Sequence, residues 1–178
     1  TKALGNLMFS SVSKNNQKKE VCSHYNIGND FYSLWLDETL SYSCGYFQTE
    51  EDTLHRAQCN KVDRILKKLY LKEGMTLCDI GCGWGYLLLR AAKKYGINGV
   101  GITLSEEQKK VFEERIKAEH LEEQLSVKLL DYRDLKTLDI SFDRVVSVGM
   151  VEHVGRENYI PFMECVKQVL KPGGLFLL

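Results

Sequence analysis

Met75-Thr-Leu-Cys-Asp-Ile80-Gly81-Cys-Gly83-Trp-Gly85 decides the fold. A short apolar run reads as a strand, and three glycines spaced two apart then turn the chain sharply. A helix over Tyr86–Tyr95 follows, ended by Gly96. Working toward the C-terminus, Asn98–Thr103 reads as a second strand. Ser105 is a plausible N-cap for a second helix, with Glu106 and Glu107 in its first turn. Residues 125–130 and 142–148 read as further strands. The segment 159–170 reads as a helix that stops at Lys171-Pro-Gly-Gly174, and the last residues start a fifth strand. This alternation predicts a parallel sheet with helices on both faces. In such sheets ligands sit at the carboxyl ends of the strands. The candidate loops are therefore 81–85, 103–108, 131–134 and 149–153.

Working toward the N-terminus, residues 50–70 carry Leu54, Ala57, Val62, Ile65, Leu66 and Leu69 at amphipathic helical spacing, with Thr49 or Thr53 near the start. Residues 1–72 are expected to form a helical lid, and 73–178 the ligand-binding core.

The 178 residues suit one domain with a sizeable core, and 24 basic residues balance 24 acidic ones. The balance holds along the chain, with 10 basic and 9 acidic residues through Glu73. No charge asymmetry points to nucleic acid, and no segment is apolar for the ~18 residues of a membrane span. No secretory signal is visible. Six cysteines (Cys22, Cys44, Cys59, Cys78, Cys82, Cys165) lack CxxC spacing, so free thiols in a reducing cytoplasm are expected, with no metal site. The sequence stops inside Gly174-Leu-Phe-Leu-Leu178, which reads as a fragment cut within a strand.

A glycine loop of this kind could hold a dinucleotide or a phosphate, or could be a structural turn. It lacks a Walker Lys-Ser/Thr pair and differs from GxGxxG. Asp79 favours a ligand, since a carboxylate at a strand end can balance a sulfonium or ammonium group. Asp79-Ile-Gly-Cys-Gly-Trp-Gly85 resembles the first motif of class I methyltransferases. The second strand ends in Gly101-Ile-Thr103-Leu-Ser105 without a carboxylate, so Thr103 and Gln108 would have to meet the ribose hydroxyls.

Three stretches together resemble the cyclopropane fatty acid synthases, including the mycolic acid cyclopropane synthases. The first runs from His24-Tyr-Asn-Ile-Gly-Asn-Asp30-Phe31 through Leu34-Trp-Leu-Asp37 to Tyr42-Ser-Cys-Gly-Tyr-Phe47. The second is Leu77 to Gly85 together with Gly99-Val-Gly-Ile-Thr-Leu-Ser105 and Gln108. The third joins Asp131-Tyr-Arg-Asp-Leu135 to Phe142-Asp-Arg-Val-Val-Ser-Val-Gly-Met-Val-Glu-His-Val-Gly155.

The resemblance implies a class I, Rossmann-like S-adenosylmethionine fold with an N-terminal helical lid, truncated here after the fifth strand. It implies that Tyr42 and Ser43 close over the methionine end, that Gly81 and Gly83 form the glycine loop, and that Thr103 and Gln108 meet the ribose. Tyr132 and Arg133 fall where the family holds adenine, although Tyr132 could also be an edge aromatic. The implied reaction adds a methylene from S-adenosylmethionine to the cis double bond of an unsaturated phospholipid acyl chain, closing a cyclopropane ring. An alkene has no proton to lose before it attacks, so a base must later remove one from the added methyl. The resemblance makes Glu152 a ligand for bicarbonate serving as that base, with the main chain of Cys44 touching the same anion. A carboxylate at the depth expected for Glu152 is costly unless paired or used. His153 could be catalytic, but it is expected rather to pack beneath its loop, and His24 to steady the lid.

Seven of the 18 aromatics (Tyr25, Phe31, Tyr32, Trp35, Tyr42, Tyr46, Phe47) fall in one short segment, as a packed core, as electron-rich walls, or as both. A lipid substrate implies work at the inner membrane surface from the cytoplasmic side; Lys14, Lys18 and Lys19 are a thin basic patch for that purpose. An oligomer is compatible with the sequence. The family's further His after the fifth strand and a later Tyr lie beyond Leu178, so the fragment is expected to bind cofactor weakly without turnover. The rival readings are an amine or phosphobase N-methyltransferase and a degenerate cofactor-binding module.

Overall fold

The computed structural model describes residues 29–178. Cys22, His24, Tyr25 and the lysines at 14, 18 and 19 lie outside the described residues. The chain runs α1 (Asn29–Ser33), α2 (Leu54–Lys68), β1 (Thr76–Ile80), α3 (Tyr86–Tyr95), β2 (Asn98–Thr103), α4 (Glu106–Ala118), β3 (Leu125–Leu129), β4 (Phe142–Val146), α5 (Tyr159–Val169) and β5 (Leu170–Leu177). Three 3-10 turns stand between these elements, at Tyr132–Leu138, Val151–His153 and Arg156–Asn158.

All strand pairs are parallel, in the order β3-β2-β1-β4-β5. Chain order proceeds outward from β1 to β3, then returns to β4 on the other side. The switch point therefore lies between β1 and β4, and a crevice opens there above the carboxyl ends.

Alternation along each strand feeds two cores. Leu77 and Val146 join Leu66, Leu88 and Phe112 on the face covered by α2, α3 and α4. Cys78, Ile80 and Val145 point the other way, against Phe162 and Val166 of α5. The sheet is thus covered on both faces, as the strand-helix alternation predicts.

Local signals fix the helix ends. The Thr53 side chain caps α2, accepting from the Arg56 N–H at 3.2 Å, while Lys67 and Lys68 complement the negative end of the helix dipole. The Ser105 hydroxyl caps α4, accepting from the Gln108 N–H at 3.3 Å.

Two expectations change. Residues 131–134, read as a loop, mostly form the 3-10 turn that begins at Tyr132. Lys171-Pro-Gly-Gly174 does not separate α5 from β5, because the strand starts directly at Leu170. Phe142 pairs with Leu170 and Arg144 with Leu175, so the intervening residues bulge out of the ladder. Pro172 has no N–H to give to the ladder, and Gly173 adopts a φ of +75°.

Candidate functional site

One cleft occupies the switch point. Its walls are the strap 39–43, the glycine loop 81–85, the ends of β2 and β3, the loop after β4, and Lys61, Val62 and Ile65 from α2. Each wall is held by a different device.

The strap is tied down from two sides. The Gln58 side-chain amide donates to the carbonyls of Ser41 at 3.2 Å and Ser43 at 2.8 Å. Asp37 accepts from the Thr39 hydroxyl at 2.7 Å and pairs with His55 Nδ1 at 3.0 Å. The aromatic segment does two jobs. Tyr32 is buried against Trp84, with ring centroids 5.2 Å apart, whereas Trp35 and Tyr42 stack edge-on at 5.3 Å and stay about half exposed. Tyr42 lines the cleft.

The glycine loop is set by close packing and open space in turn. A Cβ on Gly85 would stand 2.0 Å from the Phe112 ring, so this position admits only glycine. Gly83, at φ +55°, has nothing within 4 Å of where a Cβ would be, and it lines the cleft.

Asp79 ends β1 inside the cleft. It is 4% exposed, and no described residue hydrogen-bonds its carboxylate. Burial pushes its pKa up to about 7. Such a group is costly to ionise unless a cation arrives beside it. Thr103 and Gln108, both buried, are joined by a 2.7 Å hydrogen bond from the Thr103 hydroxyl to Gln108 Oε1. Tyr132 lies across the cleft, its ring edge-on to Phe162 at 5.1 Å, and its buried hydroxyl has no hydrogen-bond partner among the described residues.

Of the residues singled out from sequence, Tyr42, Ser43, Asp79, Gly81, Gly83, Thr103, Gln108 and Tyr132 converge on this cleft. Three others do not line it. Arg133 is held by Asp131, at 2.8 Å to Oδ1 and 2.6 Å to Oδ2, because an acid two residues away at the strand end captures the guanidinium. Cys44 follows Ser43 but is exposed. Glu152 is also exposed, since the 3-10 turn Val151–His153 carries it above the sheet rather than into it. The expected depth of Glu152 is therefore corrected. His153 likewise does not pack beneath its loop; it is exposed and faces the cleft.

Sequence reasoning missed Lys61, whose Nζ donates to the Ser43 hydroxyl oxygen at 2.7 Å from the cleft wall. Its one available signal was a place beside Val62 and Ile65 on the buried side of α2. Burial lowers the Lys61 pKa to about 8, against the nearby charges of Cys44 and Asp37. Asp131, at the head of the candidate loop 131–134, lines the cleft as well.

Among the described residues no group of three His, Cys, Asp or Glu side chains could hold a metal. No helix among them is long and apolar enough to cross a membrane. The arrangement offers a buried carboxyl, an open glycine turn, ribose-type hydrogen-bonding groups and an aromatic wall. Together these suit a nucleoside that carries a cationic tail.

Known proteins share this architecture. The chain is 44% identical over 167 residues to a probable fatty acid methyltransferase of Pseudomonas putida, covering 94% of this chain and 42% of that protein. It is 47% identical over 155 residues to the cyclopropane-fatty-acyl-phospholipid synthase of Escherichia coli K12, covering 87% of this chain and 38% of that one. A crystal structure of a mycolic acid cyclopropane synthase complexed with SAH and CTAB superposes with a TM-score of 0.84 at 38% identity, covering 90% of this chain and 55% of that chain. The chain thus spans about half the length, or less, of the proteins it matches. The profile of the family described as mycolic acid cyclopropane synthetase matches residues 12–178, and the chain belongs to that family.

Proposed function

We propose that the cleft binds S-adenosylmethionine, and that the protein carrying this chain adds a methylene to the cis double bond of an unsaturated phospholipid acyl chain. The observation that carries the reading is Asp79, a buried carboxylate that no described residue pairs, beside a glycine with open space in front of it. A sulfonium or ammonium group next to Asp79 would restore its ionised form, which burial alone disfavours. Thr103 and Gln108 would meet the ribose, and the unpartnered Tyr132 hydroxyl leaves the adenine side polar at one point. When bound, the cofactor supplies a methyl group activated by the sulfonium.

The chain's own part is positioning and exclusion of water. The strap 39–43 covers the methionine end, and Tyr42, half exposed at the cleft, supplies an aromatic ring of the kind that favours positive charge developing on the substrate. Arg133 acts at one remove in this reading, by fixing Asp131 at the cleft edge. Glu152 and Cys44, expected from the resemblance to hold a bicarbonate, lie outside the residues that line the cleft. Both side chains are exposed and enclose no anion pocket among the described residues, so no step is derived through bicarbonate. A lipid substrate would put the work at a membrane surface, reached from the cytoplasmic side; no helix among the described residues is long and apolar enough to span it.

The test is incubation with S-adenosylmethionine and vesicles of monounsaturated phospholipid, followed by mass spectrometry and proton NMR of the released fatty acids. A product one CH2 heavier, without olefinic protons, supports the reading. Lipid left unchanged while cofactor binds would overturn the lipid assignment and turn attention to amine acceptors.

A further inference from the structure

The cleft holds a cation that the reading above leaves unused. Lys61 is half-buried on α2, its Nζ 2.7 Å from the Ser43 hydroxyl oxygen, and both residues line the cleft. Among the described residues no carboxylate lies within 4.0 Å of Nζ. A partly desolvated ammonium with no carboxylate in contact gains from a ligand that supplies one.

The neighbouring groups narrow what that ligand can be. The carbonyls of Ser41 and Ser43 are already taken by the Gln58 amide. The Ser43 hydroxyl accepts from Lys61 and keeps its own hydrogen to donate. Lys61 and Ser43 therefore present two donors side by side, an arrangement suited to a carboxylate. The same cleft holds Asp79, a buried carboxyl whose ionised form a cation would favour and which no described residue pairs. A carboxyl that gains from a cation and an ammonium with no carboxylate in contact match a tail that carries both a cation and a carboxylate.

We infer that Lys61, together with the Ser43 hydroxyl, binds the carboxylate of the cofactor's amino-acid tail and so fastens the 39–43 strap over it. This rests on the assignment of the cleft to S-adenosylmethionine, and it adds a binding residue that the three sequence stretches do not contain.

The test compares two ligands by titration calorimetry. One is S-adenosylhomocysteine; the other is its decarboxylated analogue, which keeps the adenosine, the sulfur and the amine. The parent protein is expected to bind S-adenosylhomocysteine about tenfold or more tightly than the analogue, since a charge-assisted hydrogen bond is lost. K61M is expected to erase that difference, weakening S-adenosylhomocysteine about tenfold while leaving the analogue's affinity within about twofold. Retained binding of the analogue shows that the variant is folded. Equal weakening of both ligands would make Lys61 a structural residue and overturn the inference, as would no change in either. Failure of the parent to bind either ligand would instead sink the cofactor assignment.

Discussion

Arg115 donates from its guanidinium to the backbone carbonyl of Trp84 at 3.3 Å, reaching from α4 to the glycine loop. The same group donates to the carbonyls of Thr39 at 3.3 Å and Glu38 at 3.0 Å. One side chain therefore joins the strap to the loop it faces, and it does so through backbone atoms. The planar fork of arginine suits three diverging carbonyls; a lysine ammonium on a flexible stem does not.

R115M should consequently cost about 1–3 kcal/mol, because partly buried carbonyls lose their donor. Amide exchange should accelerate across residues 38–43 before it does in the sheet, and R115K should recover little of the loss. A melting point within about 1 °C of the parent would show that the latch carries no weight.

Asp79 predicts the pH response. Its folded pKa is about 7, above the ordinary 3.8, because burial disfavours the carboxylate. Between about pH 4 and 7 the folded chain binds more protons than the unfolded one, so stability falls as pH rises through that window and levels off above it. D79N should abolish that slope and stabilise the ligand-free protein at pH 8, on the order of 2–4 kcal/mol. A cationic tail favours the carboxylate, so affinity for S-adenosylmethionine should rise as pH climbs toward about 7 and level off above it in the parent, and stay flat in D79N. Chemical denaturation and calorimetry across pH 5–8 check both halves. A parent affinity independent of pH would contradict the assigned partner.

The contrast between Asp79 and Glu152 shows what the sequence could carry. Asp79 sits on a strand whose neighbours alternate between two cores, so its burial and its place at the cleft follow from local pattern. Glu152 follows a strand too, but Gly149 takes a φ of +69° and the chain then makes a 3-10 turn, which lifts the side chain into solvent. Nothing in the spacing of that segment sets the turn's direction. Lys61 and Arg115 were illegible for another reason. Each acts on the strap from more than 15 residues away in sequence, Lys61 on the Ser43 hydroxyl and Arg115 on backbone carbonyls that belong to no motif. The sheet, its order-switching crevice and the glycine turn were legible because each depends on neighbours in sequence.

The glycine loop separates packing from binding in a pair of variants. In G85A the new methyl would meet the Phe112 ring at 2.0 Å, in a left-handed conformation, and should cost about 3 kcal/mol or more. G83A has the same kind of strain at φ +55° but no clash, so about 1 kcal/mol is expected. Because Gly83 lines the cleft, G83A should still weaken S-adenosylhomocysteine binding about tenfold or more. Thermal melts order the two variants by stability, and calorimetry on G83A reads the binding loss. Full affinity in G83A would mean that the cofactor does not pass over this turn.

Tyr132 gives a test whose sign reverses with ligand. Its hydroxyl is buried without a partner among the described residues, while its ring is fixed edge-on against Phe162 at 5.1 Å. Burial raises its pKa, so the neutral hydroxyl remains in place at physiological pH. Y132F keeps the ring contact and removes an unsatisfied polar atom, and should raise the ligand-free stability by about 1 kcal/mol. That corresponds to about 2–4 °C in melting temperature for a chain of this size. If the hydroxyl meets the adenine side of the cofactor, the variant also loses a hydrogen bond on binding, and S-adenosylhomocysteine should bind roughly fivefold more weakly. With saturating ligand the melting advantage of Y132F should therefore shrink or vanish. An advantage that persists undiminished would assign Tyr132 to the core against Phe162 and remove it from the cofactor's contacts.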